Sequence, residues 1–282
     1  MGYIRRFLTM AAASIAVCTA ASGQSADTLR ILAIGNSFSQ DSVEQYLWEL
    51  FDAAGIHVII GNMYIGGCTL ERHFTNTVGD KKEYAYRKVV NGVKTNTPDV
   101  SLSQGLADEQ WDYVSFQQAS GNSGEYETFE PYLQALAAYV RRRVPASAVF
   151  MWHQTWAYAA DSSHKAFPRY GSDQLRMYRA IVKASKMAAG ARNFPIIIPT
   201  GTAIQNARTS SLGDTMNRDG YHLEKTYGRY TAACTWFEAI SGKSVVGNPY
   251  HPESISADVA AICQLAAHKA CRRPSRVSRI NR

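Results

Sequence analysis

Two rhythms of apolar and polar positions run along this chain. Solid apolar runs at Leu29–Ile34, Val58–Met63, Trp111–Phe116, Ala148–Trp152 and Phe194–Pro199 predict five strands buried on both faces. Between them, apolar residues recur at helical spacing. Val43, Tyr46, Leu47, Leu50, Phe51 and Ala54 form one such stripe, with Ser39 or Asp41 as its candidate cap and Gly55 as its stop. Tyr132–Arg143, Gln174–Ala189, Lys225–Ile240 and Ile255–Ala270 form the others. Strands that alternate with helices specify an α/β fold, a mostly parallel sheet of five strands between two helical layers. The stretch from Leu70 to Leu106 keeps neither rhythm. Its Thr, Asn, Asp and Lys content predicts loops, short hairpins and a surface insertion.

Ligands of such sheets gather beyond the C-terminal strand ends. Ser37, Gly66 and Gly67, Gln117 and Gln118, His153 and Gln154, and Thr200 and Gly201 each follow a predicted strand, so they are expected on one rim.

The chain's 282 residues, 46% hydrophobic, suit one sizeable domain over residues 28–268. Residues 1–23 read as a signal peptide: Arg5 and Arg6, then an apolar run from Phe7 to Ala21, then Ala21-Ser22-Gly23. This predicts a secreted or periplasmic protein without stable membrane insertion. Cys18 raises a lipoprotein alternative, against which the bulk of Val17 stands. The formal charge of +7 sits at the ends. Setting aside two arginines near the N-terminus and six basic residues in the tail 269–282 leaves the body near −1. The body therefore excludes a nucleic-acid surface. The tail offers contact with anionic glycan or membrane, but a solvated, frayed end is the expectation. Cys68, Cys234, Cys263 and Cys271 lack close pairing, which argues against zinc, and leave open one C-terminal bridge or buried free thiols.

The chemistry lies in two short blocks. Ser37 stands in Ile34-Gly35-Asn36-Ser37-Phe38-Ser39, between a strand and a helix. There its N–H and the helix dipole favour developing negative charge. Asp219 and His222 stand in Asp219-Gly220-Tyr221-His222-Leu223, where one turn of chain brings a carboxylate to an imidazole. A serine hydroxyl needs such a base, and the base needs such an acceptor. His153 has no acid nearby in sequence and ranks below His222 as the base. His57, His73, His164, His251 and His268 show no partner pattern and read as surface or packing residues. Trp152, His153 and Trp156, in an aromatic run after a strand, are candidates for a wall that stacks on sugar rings, with core packing as the alternative. The zinc-protease, phosphate-loop and α/β-hydrolase elbow motifs are absent.

Taken together, these blocks resemble the SGNH (GDSL-like) hydrolase superfamily, in particular its secreted Bacteroidetes branch labelled DUF4886. More distantly they are similar to carbohydrate and sialate O-acetylesterases. The resemblance implies a flavodoxin-like fold, Ser37 as nucleophile, His222 as base and Asp219 as the acid that orients it. It also implies Gly67 as an oxyanion donor beside the Ser37 N–H, with no cofactor and no metal. The superfamily's Gly-x-Asn-Asp block is replaced here by Phe116-Gln117-Gln118-Ala119-Ser120-Gly121-Asn122. The amide that completes the oxyanion hole is then Gln117 or Gln118, at the strand end, or Asn122. The expected protein is a secreted serine esterase acting on small-molecule or glycan esters, with O-acetyl groups of glycans as its target. A lipase or thioesterase with the same triad, and a catalytically silent glycan-binding protein, are the competing readings.

Overall fold

In the computed structural model, which describes residues 28–281, the first strand is the apolar run after Thr28. The elements follow in order: β1 (Leu29–Gly35), α1 (Ser37–Val43), α2 (Leu47–Ala53), β2 (Val58–Tyr64), α3 (Leu70–Thr77), β3 (Tyr84–Val90), β4 (Val93–Val100), α4 (Leu102–Ala107) and β5 (Tyr113–Phe116). Then come α5 (Tyr132–Arg141), β6 (Val149–His153), α6 (Gln174–Arg192), β7 (Ile196–Ile198), α7 (Thr200–Ala207), α8 (Tyr227–Ser241) and α9 (Ala257–Arg272). The signal-peptide segment lies outside the described residues.

The sheet has seven strands, in the order β4-β3-β2-β1-β5-β6-β7, where the sequence predicted five. The five expected strands are its parallel part. β3 and β4 add an antiparallel hairpin at one edge, inside the stretch read as an insertion. Its turn is Asn91-Gly92, both at positive φ, between paired Val90 and Val93; this is the two-residue connection that matches strand twist. The outer strand β4 is exposed along Val93–Asp99 and carries Lys94 and Pro98, residues that blunt an open edge.

The parallel strands read as solid apolar runs because both faces are covered. On β1, Leu32 and Ile34 pack with Trp111, Leu133 and Trp152, while Ile31 and Ala33 pack on the other face with Tyr230, Trp236 and Phe237. Of the predicted helix Val43–Ala54, only Leu47–Ala53 forms α2; Val43 ends α1, and Tyr46 stands in the left-handed region between the two. No helix among the described residues is long and apolar enough to cross a membrane.

One open alternative is decided and one expectation changes. Cys68, Cys234, Cys263 and Cys271 are all free thiols; burial pushes Cys68 and Cys263 each up to about 12, which makes them inert packing groups. The basic tail is not frayed. α9 runs on to Arg272, and the chain then docks on α7: Ser278 N donates to Asn206 Oδ1 (2.6 Å), Ile280 N donates to Thr209 Oγ1 (2.9 Å), and the Ile280 side chain is buried.

Candidate active site

From β1 the chain runs to β2 on one side and later returns to β5 on the other, so the β1/β5 boundary is the topological switch point. Ile34 pairs with Phe116 there, which sets Ser37 and Gln117 just beyond neighbouring strand ends.

The turn before Ser37 is fixed by an ordered set of hydrogen bonds. Asn36 is extended and caps α1, its Oδ1 accepting from Phe38 N at 3.0 Å. The same oxygen accepts from Gln117 Nε2 (2.9 Å), and Asn36 Nδ2 donates to the Cys68 carbonyl (3.0 Å). Gln117 Oε1 in turn accepts from His153 Nδ1 (2.8 Å), which leaves His153 Nε2 to accept from Thr200 Oγ1 (3.1 Å). Burial lowers His153 to about 3, so it stays neutral and the relay keeps its direction. Gly35 is required by this packing, since an added Cβ would lie 2.5 Å from Ser39 Oγ and 2.9 Å from Gln117 Oε1.

This assigns new roles to several predicted residues. Gln117 and Gln118 do not line the cleft beside Ser37. Gln118 Oε1 accepts from Leu70 N (3.0 Å) and Ala119 N (2.9 Å), and its Nε2 donates to the Thr128 carbonyl (3.1 Å). Both glutamines are thus internal braces, each buried with its amide engaged, and the expectation that one supplies the oxyanion donor is corrected. Trp152, His153 and Trp156 are each no more than 2% exposed and also lie outside the cleft lining. They are core, as the bland reading of the aromatic run had it. Trp156 stacks on Phe38 with ring centroids 4.0 Å apart.

The histidine block forms a tight turn. Asp219 Oδ1 accepts from His222 N (2.8 Å) and Tyr221 N (3.2 Å), and its Oδ2 accepts from His222 Nδ1 (2.7 Å). Burial works to raise the Asp219 carboxyl, but these donors outweigh it and hold the group below its ordinary value. With Nδ1 engaged by Asp219, Nε2 is the ring nitrogen without a partner among the described residues. The imidazole lies edge-on to Phe38, the residue after Ser37, with centroids 6.1 Å apart. Ser37 Oγ has no hydrogen-bond partner among the described residues.

Asp41, read from the sequence as a possible cap, couples the two blocks. It lies inside α1 with its side chain fully buried. Oδ2 accepts from Leu223 N (2.9 Å) and from the Arg218 guanidinium (3.1 Å), and Oδ1 accepts from Arg229 Nε (2.8 Å). One carboxylate on the serine helix therefore clamps both flanks of the histidine turn.

A cleft beside Ser37 has a volume of about 500 Å³ and is lined by Asn36, Ser37, Gly67, Asn122, His164 and Arg169, among others; Asp219 and His222 are not among its lining residues. Gly67 sits at φ 62° with open space where a side chain would be. Neither its N–H nor that of Ser37 has an intramolecular acceptor among the described residues. Asn122 Oδ1 accepts from Arg169 (2.8 Å), which turns its Nδ2 away from that contact; Arg169 also pairs with Glu125. His164, read from the sequence as a surface or packing residue, lines the cleft. Its Nδ1 accepts from Ala166 N (3.1 Å), so the proton sits on Nε2. Partial burial, then the nearby Lys165, His222 and Arg169, lower its pKa and keep it a neutral donor. No cluster of three or more metal-ligating side chains occurs among the described residues.

Comparison with known proteins agrees with this architecture. The domain of unknown function DUF4886 matches residues 30–270. A DUF4886 family protein from Bacteroides uniformis, of known crystal structure, is 54% identical, with a TM-score of 0.89 over 90% of this chain and 98% of that one. A catalytic mutant of Axe2, an acetylxylan esterase from Geobacillus stearothermophilus, shares the fold at 12% identity and a TM-score of 0.51, over 75% of this chain and 94% of that one. A second Axe2 mutant, described as an acetyl-xylooligosaccharide esterase, gives 14% identity and a TM-score of 0.50. No curated protein matches the chain. The match across nearly all of the described chain, together with the Bacteroides relative, makes this protein a member of the DUF4886 family, with the α/β fold of SGNH-type hydrolases.

Proposed function

We propose that the protein is a secreted serine esterase that removes short acyl groups, acetyl foremost, from glycans. The observation that carries this reading is the 2.7 Å Asp219–His222 contact on a turn clamped to the helix that begins at Ser37. In the proposed reaction Ser37 Oγ attacks the ester carbonyl while His222 Nε2 takes its proton. Asp219 holds the imidazole and stabilises the imidazolium that forms. The N–H groups of Ser37 and Gly67 receive the oxyanion, and Asn122 Nδ2 is the side-chain donor that takes the place expected of a glutamine. His222 returns its proton to the departing sugar hydroxyl, then activates water to release acetate from Ser37.

The substrate part of the proposal rests on the cleft and the fold. Polar and small residues dominate the cleft lining, and it holds no large apolar side chain, which suits a short acyl group over a lipid chain. The fold relatives described as acetylxylan and acetyl-xylooligosaccharide esterases point the same way. The N-terminal basic and apolar pattern supports export to where such glycans are met.

The test is hydrolysis of p-nitrophenyl esters of increasing acyl length by the wild type and Ser37→Ala. Acetate is expected to be the best substrate and the variant inactive. A best rate with long acyl chains would replace acetylesterase with lipase. Unchanged hydrolysis by the variant would remove Ser37 from the mechanism.

A further inference from the structure

Away from the cleft, the tail and α9 build a second concave site. After Arg272 the chain folds back along the helix, held by Ser278 on Asn206, by Ile280 on Thr209, and by Lys269 Nζ donating to the Arg279 carbonyl (2.7 Å). Thr202 Oγ1 and Gln154 Nε2 both donate to the Pro274 carbonyl, which fixes the start of the return. The space enclosed is about 500 Å³. Lys269, Arg272, Arg273, Arg276 and Arg279 line it, and no carboxylate does. Among the described residues, none of these five cations has a carboxylate within 4.0 Å and none of the four guanidiniums donates a hydrogen bond. Glu238 on α8 is engaged by His268 (2.8 Å).

Holding this much like charge together without internal partners is unfavourable, and an external anion relieves it. Arginine's planar fork matches carboxylate and sulfate groups bidentately. Four forks along one groove call for several anions in a row, which a polymer supplies. A nucleic acid would ask for aromatic faces on which bases stack, and the lining offers none beyond the His268 imidazole. A membrane would ask for exposed large apolar side chains beside the charge; those of this protein are Val78, Val93, Leu175, Met187 and Val246, all outside the groove. We propose that the groove between α9 and the returning tail binds an acidic polysaccharide, a chain of sugars bearing carboxylate or sulfate groups. This inference does not depend on the esterase reading.

The experiment is calorimetric titration of the mature protein with polygalacturonate and with dextran sulfate. Saturable binding of at least one polymer is expected, weakening about tenfold or more between about 50 mM and about 300 mM salt. The triple variant Arg272→Gln/Arg276→Gln/Arg279→Gln is expected to lose about tenfold or more in affinity while its melting temperature and p-nitrophenyl acetate hydrolysis stay unchanged. Ile280→Ser keeps every cation but releases the tail, and is expected to weaken binding as well. Absence of binding by the wild type, full affinity in the triple variant, or full affinity in Ile280→Ser would each overturn the proposal. Tighter binding of a short DNA duplex or of phosphatidylglycerol vesicles would overturn the assignment to a polysaccharide.

Discussion

The serine side and the histidine side of the cleft are held in different ways. Asn36, Gln117 and His153 are all buried and linked by neutral hydrogen bonds into the strand ends of β1, β5 and β6. The histidine turn has no strand beneath it. Asp219 is partly exposed, and the turn is fixed to α1 through one buried charge, Asp41, and two arginines. The proposed nucleophile is thus anchored at the sheet, while the proposed base is clipped onto it. A neutral network in low dielectric fixes geometry over a wide pH range. A buried carboxylate is a sharper device, because removing its charge leaves two cations without a charged partner.

The largest effects test whether the two sides act as one unit. Ser37→Ala is expected to lower kcat by about 10⁴-fold or more, and His222→Ala by a similar factor, with no further loss in the double variant. Additive losses, read from the double-mutant cycle, would mean that the residues work separately. Asp219→Asn is expected to cost about 10⁴ in kcat, because the amide no longer enforces the Nδ1–H tautomer. Next comes the oxyanion assignment. Asn122→Ala is expected to lower kcat by about 10²–10³, with KM little changed. A variant as active as wild type would return the role to backbone N–H groups alone.

The contrast itself is tested by paired substitutions. Asp41→Asn should destabilise the fold by about 3–5 kcal/mol and also lower kcat, because the histidine turn is freed from α1. Gln117→Leu, on the neutral side, should cost about 1–3 kcal/mol, because only His153 Nδ1 is left unpaired while Asn36 Oδ1 keeps Phe38 N. Urea denaturation checks both values, and a larger loss for Gln117→Leu would invert the comparison.

The last expectation is a slope with pH. His153 and His73 are both lowered from 6.5 to about 3 by burial, so the unfolded chain takes up protons that the native state refuses. Their contribution to stability is complete above pH 6.5 and is lost as pH falls from there toward 3, at about 1.4 kcal/mol per pH unit for each histidine. Denaturation at stepped pH should show this slope, reduced by about half in His153→Gln.

The sequence made the parallel strands legible, since strands covered on both faces read as unbroken apolar runs. It also made the Ser37 and Asp219/His222 blocks legible, because each is local. The β3/β4 hairpin escaped because its outer strand is exposed and polar, although Asn91-Gly92 was a usable turn signal. The roles of Gln117 and Asp41 were not legible. Gln117 meets Asn36 across 81 positions, and Asp41 meets Arg218 and Arg229 across 177 and 188 positions, distances over which no periodicity carries information. His164 was passed over for a related reason. Its place in the cleft is set by the packing of Tyr158 and Tyr221 around its ring.

The claim at the centre of this account is that Ser37 is a nucleophile activated by His222. It is tested most directly by treating the mature protein with a fluorophosphonate and locating the adduct by peptide mass spectrometry. The account predicts one adduct per chain, on Ser37, formed far more slowly in His222→Ala and Asp219→Asn. Labelling of a different residue, or ester hydrolysis that continues after Ser37 is fully modified, would contradict it.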